Sequence, residues 1–241
     1  MDPLSLDNIR NVLTRLEETI IFGLIERAQY GRNDAIYVKV GVGRELKDES
    51  LLEFLLHECE RSHSKVRRYT SPDEHPFFND LPAPILPALD YASPLRPNTI
   101  NINPEIFGVY VKEIVPFICP AGDDRQYGSS AVNDVTLLQA LSKRIHYGKF
   151  VAETKFRAHG AELEPLIRAQ DRAALLAAIT DADVERQILE RVRRKAATYG
   201  AELEAGSGQR KVDPEAVVAI YSRWIIPLNK KVQVLYLLQR A

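Results

Sequence analysis

The sequence predicts an all-α chain: a single-domain multi-helix bundle with a long central helix and a proline-rich crossing segment. Three observations predict it. Apolar residues recur three and four apart along most of the 241 residues, the period of a helix face. The run Ile36-Tyr37-Val38 is too short to argue for a sheet. Ten of the 14 prolines fall between residues 72 and 120, where they bar an uninterrupted helix. The length leans towards one domain with one substantial core.

Asp7 or Asn8 is expected to cap a first helix, whose apolar positions Ile9, Val12, Leu13, Leu16, Ile20, Ile21 and Leu24 continue until Tyr30-Gly31. Arg10 stands in its first turn, where a cation opposes the helix dipole. It either awaits an anion from elsewhere in the fold or forms a solvated ladder with Glu17, seven residues on along the same face. Residues 31–47 read as a loop, and Gly41-Val42-Gly43 lacks the third glycine of a dinucleotide fingerprint. A second helix spans about 48–69 and ends in Lys65, Arg67 and Arg68 before Ser71-Pro72 breaks it. The dipole accounts for one such cation; three ask for more. In the crossing segment no ordinary long helix forms before 105–117, and Phe77, Phe78, Ile85, Leu86, Leu89 and Tyr91 are expected to dock it on the helices. Residues 122–129 then lead into the central helix, with amides and Ser129 that hold a carboxylate or simply make a turn.

The central helix is expected over residues 134–159, with Asp134 as N-cap, apolar positions Val135, Leu138, Leu141, Ile145 and Phe156, and Gly160 as its stop. Arg144 and Lys155 lie eleven residues apart, almost three turns, so both cations project from one face. Gly148, Val151 and Ala152 lie between them. Two long cations bracketing a floor of small side chains suit a compact dianion; alternatively, Gly148 permits a close helix crossing and the cations are solvated. Short helices follow at about 162–169 and 171–179, after which Thr180 caps a helix to Tyr199 that Gly200 stops. Asp181 and Glu185, four apart at its start, face the same way, as site acids or as partners of the dipole. Residues 204–213 read as a mobile loop. Pro214 opens the last helical stretch, bent at Pro227, where Asn229 and Gln233 stand four apart among apolar residues and need partners if buried.

Lys and Arg total 32 against 33 for Asp and Glu, a net charge of -1, so no global field favours nucleic acid or an anionic membrane. Any anion binding must be local. Cys59 and Cys119 are the only cysteines and suit a reducing compartment as two buried thiols. The N-terminal residues resemble neither a signal peptide nor a transit segment, and no run of about 18 apolar residues exists, so a soluble cytoplasmic protein is expected. Five histidines make no i, i+4 ligand pair, no CxxC occurs, and neither a nucleophile elbow nor a phosphate loop is present, so no metal is expected.

Taken together, Asn8-Ile-Arg10, Val66-Arg-Arg-Tyr-Thr-Ser-Pro-Asp-Glu-His-Pro-Phe-Phe78, Leu141-Ser-Lys-Arg-Ile-His-Tyr-Gly-Lys-Phe-Val-Ala-Glu-Thr-Lys-Phe156 and Val184-Glu185 resemble the eukaryotic all-helical chorismate mutases. The match spans nearly the whole chain, and the central motif is its most specific part. The resemblance implies a homodimer without cofactor that converts chorismate to prephenate on the route to phenylalanine and tyrosine. It implies one domain over residues 1–241, with a regulatory region around 66–135 integrated among the catalytic helices. By motif match, Arg10 and Arg144 would clamp the two carboxylates. Lys155 and Gln233 would donate to the ether oxygen, Glu185 would accept from the ring hydroxyl, and Asp181 and Asn229 would fill polar positions beside the carboxylates. Asp181 stands where fungal members carry Asn, Asn229 where they carry Thr, and Gln233 where they carry Glu. Arg67, Arg68, Gly128 and Ser129 match an effector site for tyrosine or tryptophan, with Val132 in place of a threonine and Arg125 and Gln126 in place of two asparagines. The rival reading, a non-catalytic helical interaction protein on the same scaffold, predicts loss of at least one catalytic cation, yet Arg10, Arg144 and Lys155 are all present.

Overall fold

The computed structural model describes residues 4–46, 48–89, 92–202 and 212–240, and among them it is helical with no strand. Helix α1 (Leu6–Arg27) is capped by Ser5, whose hydroxyl accepts from the Asn8 amide at 3.3 Å, not by Asp7 or Asn8. Arg10 therefore sits in the second turn, where the dipole acts less on it. Helix α2 (Leu51–Lys65) begins with a capping box in which Ser50 and Glu53 satisfy one another's amides, at 2.9 and 3.2 Å.

The central helix is longer than its expected span and is interrupted. Helix α5 (Tyr127–His146) starts seven residues before Asp134, and after a turn at Tyr147 α6 (Gly148–Arg168) continues, kinking at His159. Gly160 does not stop it, and the separate helix expected at 162–169 is its last part. Asp134 is no cap. Fully buried, it accepts from Arg27 Nε at 2.6 Å, Tyr110 Oη at 2.6 Å and Tyr37 Oη at 2.7 Å, welding α1 to α5. A carboxylate that accepts three hydrogen bonds, one of them from a cation, tolerates such burial, although burial still pushes its pKa upward.

Between α2 and α5 the chain forms α3 (Asn103–Val109), a π-turn (Tyr110–Ile114) and α4 (Val115–Ile118). The last stretch repeats that device: α9 (Pro214–Ile220), a π-turn (Tyr221–Ile225) and α10 (Ile226–Leu238). Each π-turn ends two residues before a proline, Pro116 or Pro227. Proline lacks the amide a regular ladder needs and crowds the preceding turn, so the wider turn relieves both.

The crossing segment is laid on the helices by backbone bonds. Glu60 accepts from the amides of Phe77 and Phe78, Ile85 donates to the Lys65 carbonyl, and Asn103 reaches the carbonyls of His75 and Pro76. Phe77 and Phe78 pack against the core, but Ile85 and Leu89 are 75% and 60% exposed and Leu86 is exposed too; Leu95 and Ile100 are buried in their stead. Tyr91 lies outside the described residues, as does most of the 204–213 loop. A buried cluster pins the segment to the α5–α6 turn: His146 accepts from the Ile102 amide at 3.0 Å, Lys149 donates to the Ile100 carbonyl at 2.7 Å, and His75 stacks on His146 with ring centroids 4.3 Å apart. Burial lowers the pKa of Lys149 to about 8 and of His146 to about 4.

Helix α7 (Arg172–Ile179) is capped by Asp171, and α8 (Ala182–Glu202) packs on α1 and α9 and runs past Gly200. No described helix is long and apolar enough to cross a membrane.

Candidate active site

The site is assembled where α10 lies along α6. Gly148 makes that approach possible: a Cβ there would stand 2.7 Å from the Asn229 carbonyl oxygen and 3.1 Å from its amide nitrogen. The close-crossing reading of Gly148 is therefore the correct one, and it places polar residues of α10 against the end of α5 and against Lys155. Asn229 Nδ2 donates to the carbonyls of Arg144 and Ile145 at 3.2 and 3.1 Å, groups that a helix leaves open in its last turn. Its Oδ1 accepts from Gln233 Nε2 at 2.9 Å, and Gln233 Oε1 in turn accepts from Lys155 Nζ at 3.2 Å. Asn229, Gln233 and Lys155 thus form one connected array, tied to the end of α5 through the Arg144 and Ile145 backbone carbonyls, and the two partners that a polar pair on an apolar helix requires are found.

Arg144 carries the strongest electrostatic signal. It is 4% exposed, its Nε has no hydrogen-bond partner, and among the described residues no carboxylate pairs with it. Burial pulls its pKa below the ordinary arginine value. Lys155 also donates to the Ile179 carbonyl; burial draws its pKa down, against the pull of Asp181 and Glu185. A cleft of about 490 Å³ opens beside it, lined by Lys155, Ile179, Thr180 and Asp181 among others, though Arg144, Asn229 and Gln233 lie outside that lining.

Asp181, not Thr180, caps α8: its Oδ1 accepts from the amides of Asp183 and Val184, each at 3.0 Å, while Thr180 turns back to the Leu176 carbonyl. Glu185, one turn on, pairs with Lys230 of α10 at 2.8 Å. Arg10 is exposed on α1, whose start is tied to the site because Thr154, beside Lys155, donates to the Leu4 carbonyl. The Arg10 to Glu17 ladder does not form. Glu17 is buried and takes a bidentate bond from Arg191 at 2.9 and 2.8 Å and a third contact from Lys195 at 3.2 Å, fixing α1 against α8.

Sequence reasoning missed Lys230, and Arg191 with Lys195. A lysine wedged between Asn229 and Gln233 on an apolar helix was a signal available in the sequence; the partners of Glu17, 174 residues away for Arg191, were not.

The effector-site residues divide into two groups. Arg67, with positive φ of 67°, lines a cleft of about 510 Å³ with Leu86 and Leu89 and reaches the Pro87 carbonyl, and its Nε has no partner. Arg68 is held by Glu74 at 3.1 Å and Gln139 at 2.9 Å. Gly128 and Ser129 lie in the first turn of α5, eleven and ten residues before Gln139.

Comparison with known proteins agrees with this architecture. The family model for chorismate mutase type II matches residues 127–234. The chorismate mutase of Emericella nidulans is 48% identical, over 98% of this chain and 92% of its own length. The Candida albicans chorismate mutase, solved in complex with L-Trp, superimposes with a TM-score of 0.91 at 44% identity, covering 98% of this chain and 92% of that one. The structure of the mutase AtCM1 with tyrosine bound in its allosteric site gives 0.92 at 46% identity, covering 99% and 97%. The chain belongs to the all-helical chorismate mutases, isomerases that convert chorismate to prephenate by a Claisen rearrangement.

Proposed function

We propose that chorismate is held against α5, α6 and α10, with Arg10 and Arg144 on its two carboxylates and Lys155 and Gln233 on the ether oxygen. The observation that carries this reading is Arg144: a buried guanidinium lacking a carboxylate is costly until an anion completes it, and its fork suits a carboxylate. The rearrangement needs no nucleophile and no proton transfer. Holding a chair-like conformer and stabilising the negative charge that grows on the ether oxygen is sufficient, and one ammonium with one neutral amide does that. Glu185 accepts from the ring hydroxyl. Asp181 contributes at the cleft beside Lys155, and Asn229, its amide engaged on both sides, fixes Gln233.

The same reading extends to an aromatic amino acid effector, tyrosine or tryptophan, bound by Arg67, Arg68, Gly128 and Ser129 across a homodimer. The relatives solved with L-Trp, or with tyrosine in an allosteric site, support it. So does distance: eleven residues of α5 separate Gly128 from the Gln139 that holds Arg68, roughly 16 Å of helix, so a compact effector meets both halves only if a second copy supplies one. The whole chain acts as one domain with this regulatory region built in, in a cytosolic compartment that keeps Cys59 and Cys119 as free thiols.

The test is turnover of chorismate by Arg144→Ala and Lys155→Ala, each checked for native helicity. Losing one donor to a developing oxyanion costs about 100- to 1,000-fold. Near-normal turnover in either variant would overturn the assignment.

A further inference from the structure

Lys230 is a cation in the site that no part of the proposed chemistry uses. It follows Asn229 on α10, turned about 100° round the helix from it and towards α8. Its Nζ lies 2.8 Å from Glu185 Oε1, with the two side chains 21% and 29% exposed. The charged groups facing Lys155 are Asp181 and Glu185 from α8 and Lys230 from α10; Gln233 and the Ile179 carbonyl complete its surroundings. Two ammonium groups therefore compete for one glutamate.

We propose that Lys230 is a positioning residue for the rearrangement: by engaging Glu185 it keeps that carboxylate off Lys155 and leaves the Lys155 ammonium for the substrate. The proposal rests on the assignment of Lys155 and Glu185 above. An ion pair between Lys155 and Glu185 would neutralise the charge needed at the ether oxygen and pull the ammonium away from Gln233. Lys230 prevents this by satisfying the carboxylate itself. Its charge also disfavours the protonated form of Lys155, against the pull of the two acids. Both consequences are measurable, and they are distinct. Removing Lys230 lets Glu185 capture Lys155, which lowers kcat; it also removes a like charge, which raises the Lys155 pKa and moves the alkaline limb of activity to higher pH.

The experiment is steady-state turnover of chorismate by the full-length wild type, Lys230→Gln, Lys230→Arg and Lys155→Ala between pH 6 and 10.5, with circular dichroism confirming the fold. The expected result for Lys230→Gln is a kcat lower by about tenfold with KM little changed. Its alkaline limb moves to higher pH, and Lys230→Arg restores both. A folded Lys230→Gln with unchanged kcat overturns the proposal. A fall in kcat without the shift of the limb, or without recovery in Lys230→Arg, marks a merely structural residue and overturns it too. If Lys155→Ala itself retains turnover and the alkaline limb, the site assignment fails and the proposal with it.

Discussion

Gly148→Ala is the smallest change that tests how the site is assembled. The added methyl would stand 2.7 Å from the Asn229 backbone carbonyl oxygen, roughly 0.7 Å inside van der Waals contact, and 3.1 Å from the side-chain Nδ2 of Asn229. The obstacle is backbone of α10, not the end of a flexible side chain, so α10 must move. Overpacking of this kind costs about 1–3 kcal/mol. Alanine in a helix returns about 1 kcal/mol relative to glycine, so the net loss of stability is at most about 2 kcal/mol, a fall in melting temperature of at most about 4–8 °C. Activity should be hit harder, because Asn229 holds Gln233 and a displacement approaching 1 Å costs up to about 100-fold. The assay is chorismate disappearance alongside a thermal melt, with the expected result a 10- to 100-fold loss of turnover in a protein that still folds. Unchanged turnover with a raised melting temperature would refute the reasoning, since it would mean that α10 is not seated on Gly148.

Three further predictions concern pH and regulation. Burial lowers the Lys155 pKa from 10.5 and Gln233 donates at any pH, so turnover should vary little from about pH 6 and begin to fall below the ordinary lysine range; Gln233→Glu should confine activity to acid, and two identical pH profiles would exclude Gln233 as the ether-oxygen donor. Arg68→Ala should abolish any response to tyrosine or tryptophan, a coupling of about 1–3 kcal/mol, with much less effect on unliganded turnover; a wild type indifferent to both at millimolar concentration would remove the effector site. His146 is buried neutral, with its pKa depressed from 6.5 to about 4, so between those values the unfolded chain binds the extra proton and stability falls as pH is lowered, by up to about 1.4 kcal/mol per pH unit. Melts at pH 7 and pH 5 measure this, and a slope that His146→Gln leaves unchanged would locate it elsewhere.

The sequence by itself determined which stretches are helical, because helical periodicity and local breakers are properties of neighbours along the chain. It placed Arg144 and Lys155 eleven residues apart on one helical period, a run that the structure interrupts with a turn at Tyr147, φ -60° and ψ -11°. It also marked Asn229 and Gln233 as needing partners. What it left open depends on residues far apart. Asp134 looks like a cap in isolation, and only Arg27, 107 residues away, with Tyr37 and Tyr110 makes it a buried pivot. Ile85 and Leu89 are apolar and yet exposed, because burial follows from which surface the segment crosses, not from the side chain alone. The tertiary structure decided that Gly148 serves a helix crossing, and the crossing delivers Gln233 to the Lys155 ammonium and Asn229 to the carbonyls that end α5. It likewise decided that among the described residues no carboxylate pairs with Arg144, since Glu17 is taken by Arg191 and Lys195, and a counter-ion can be counted only when every chain segment around the cation is in place.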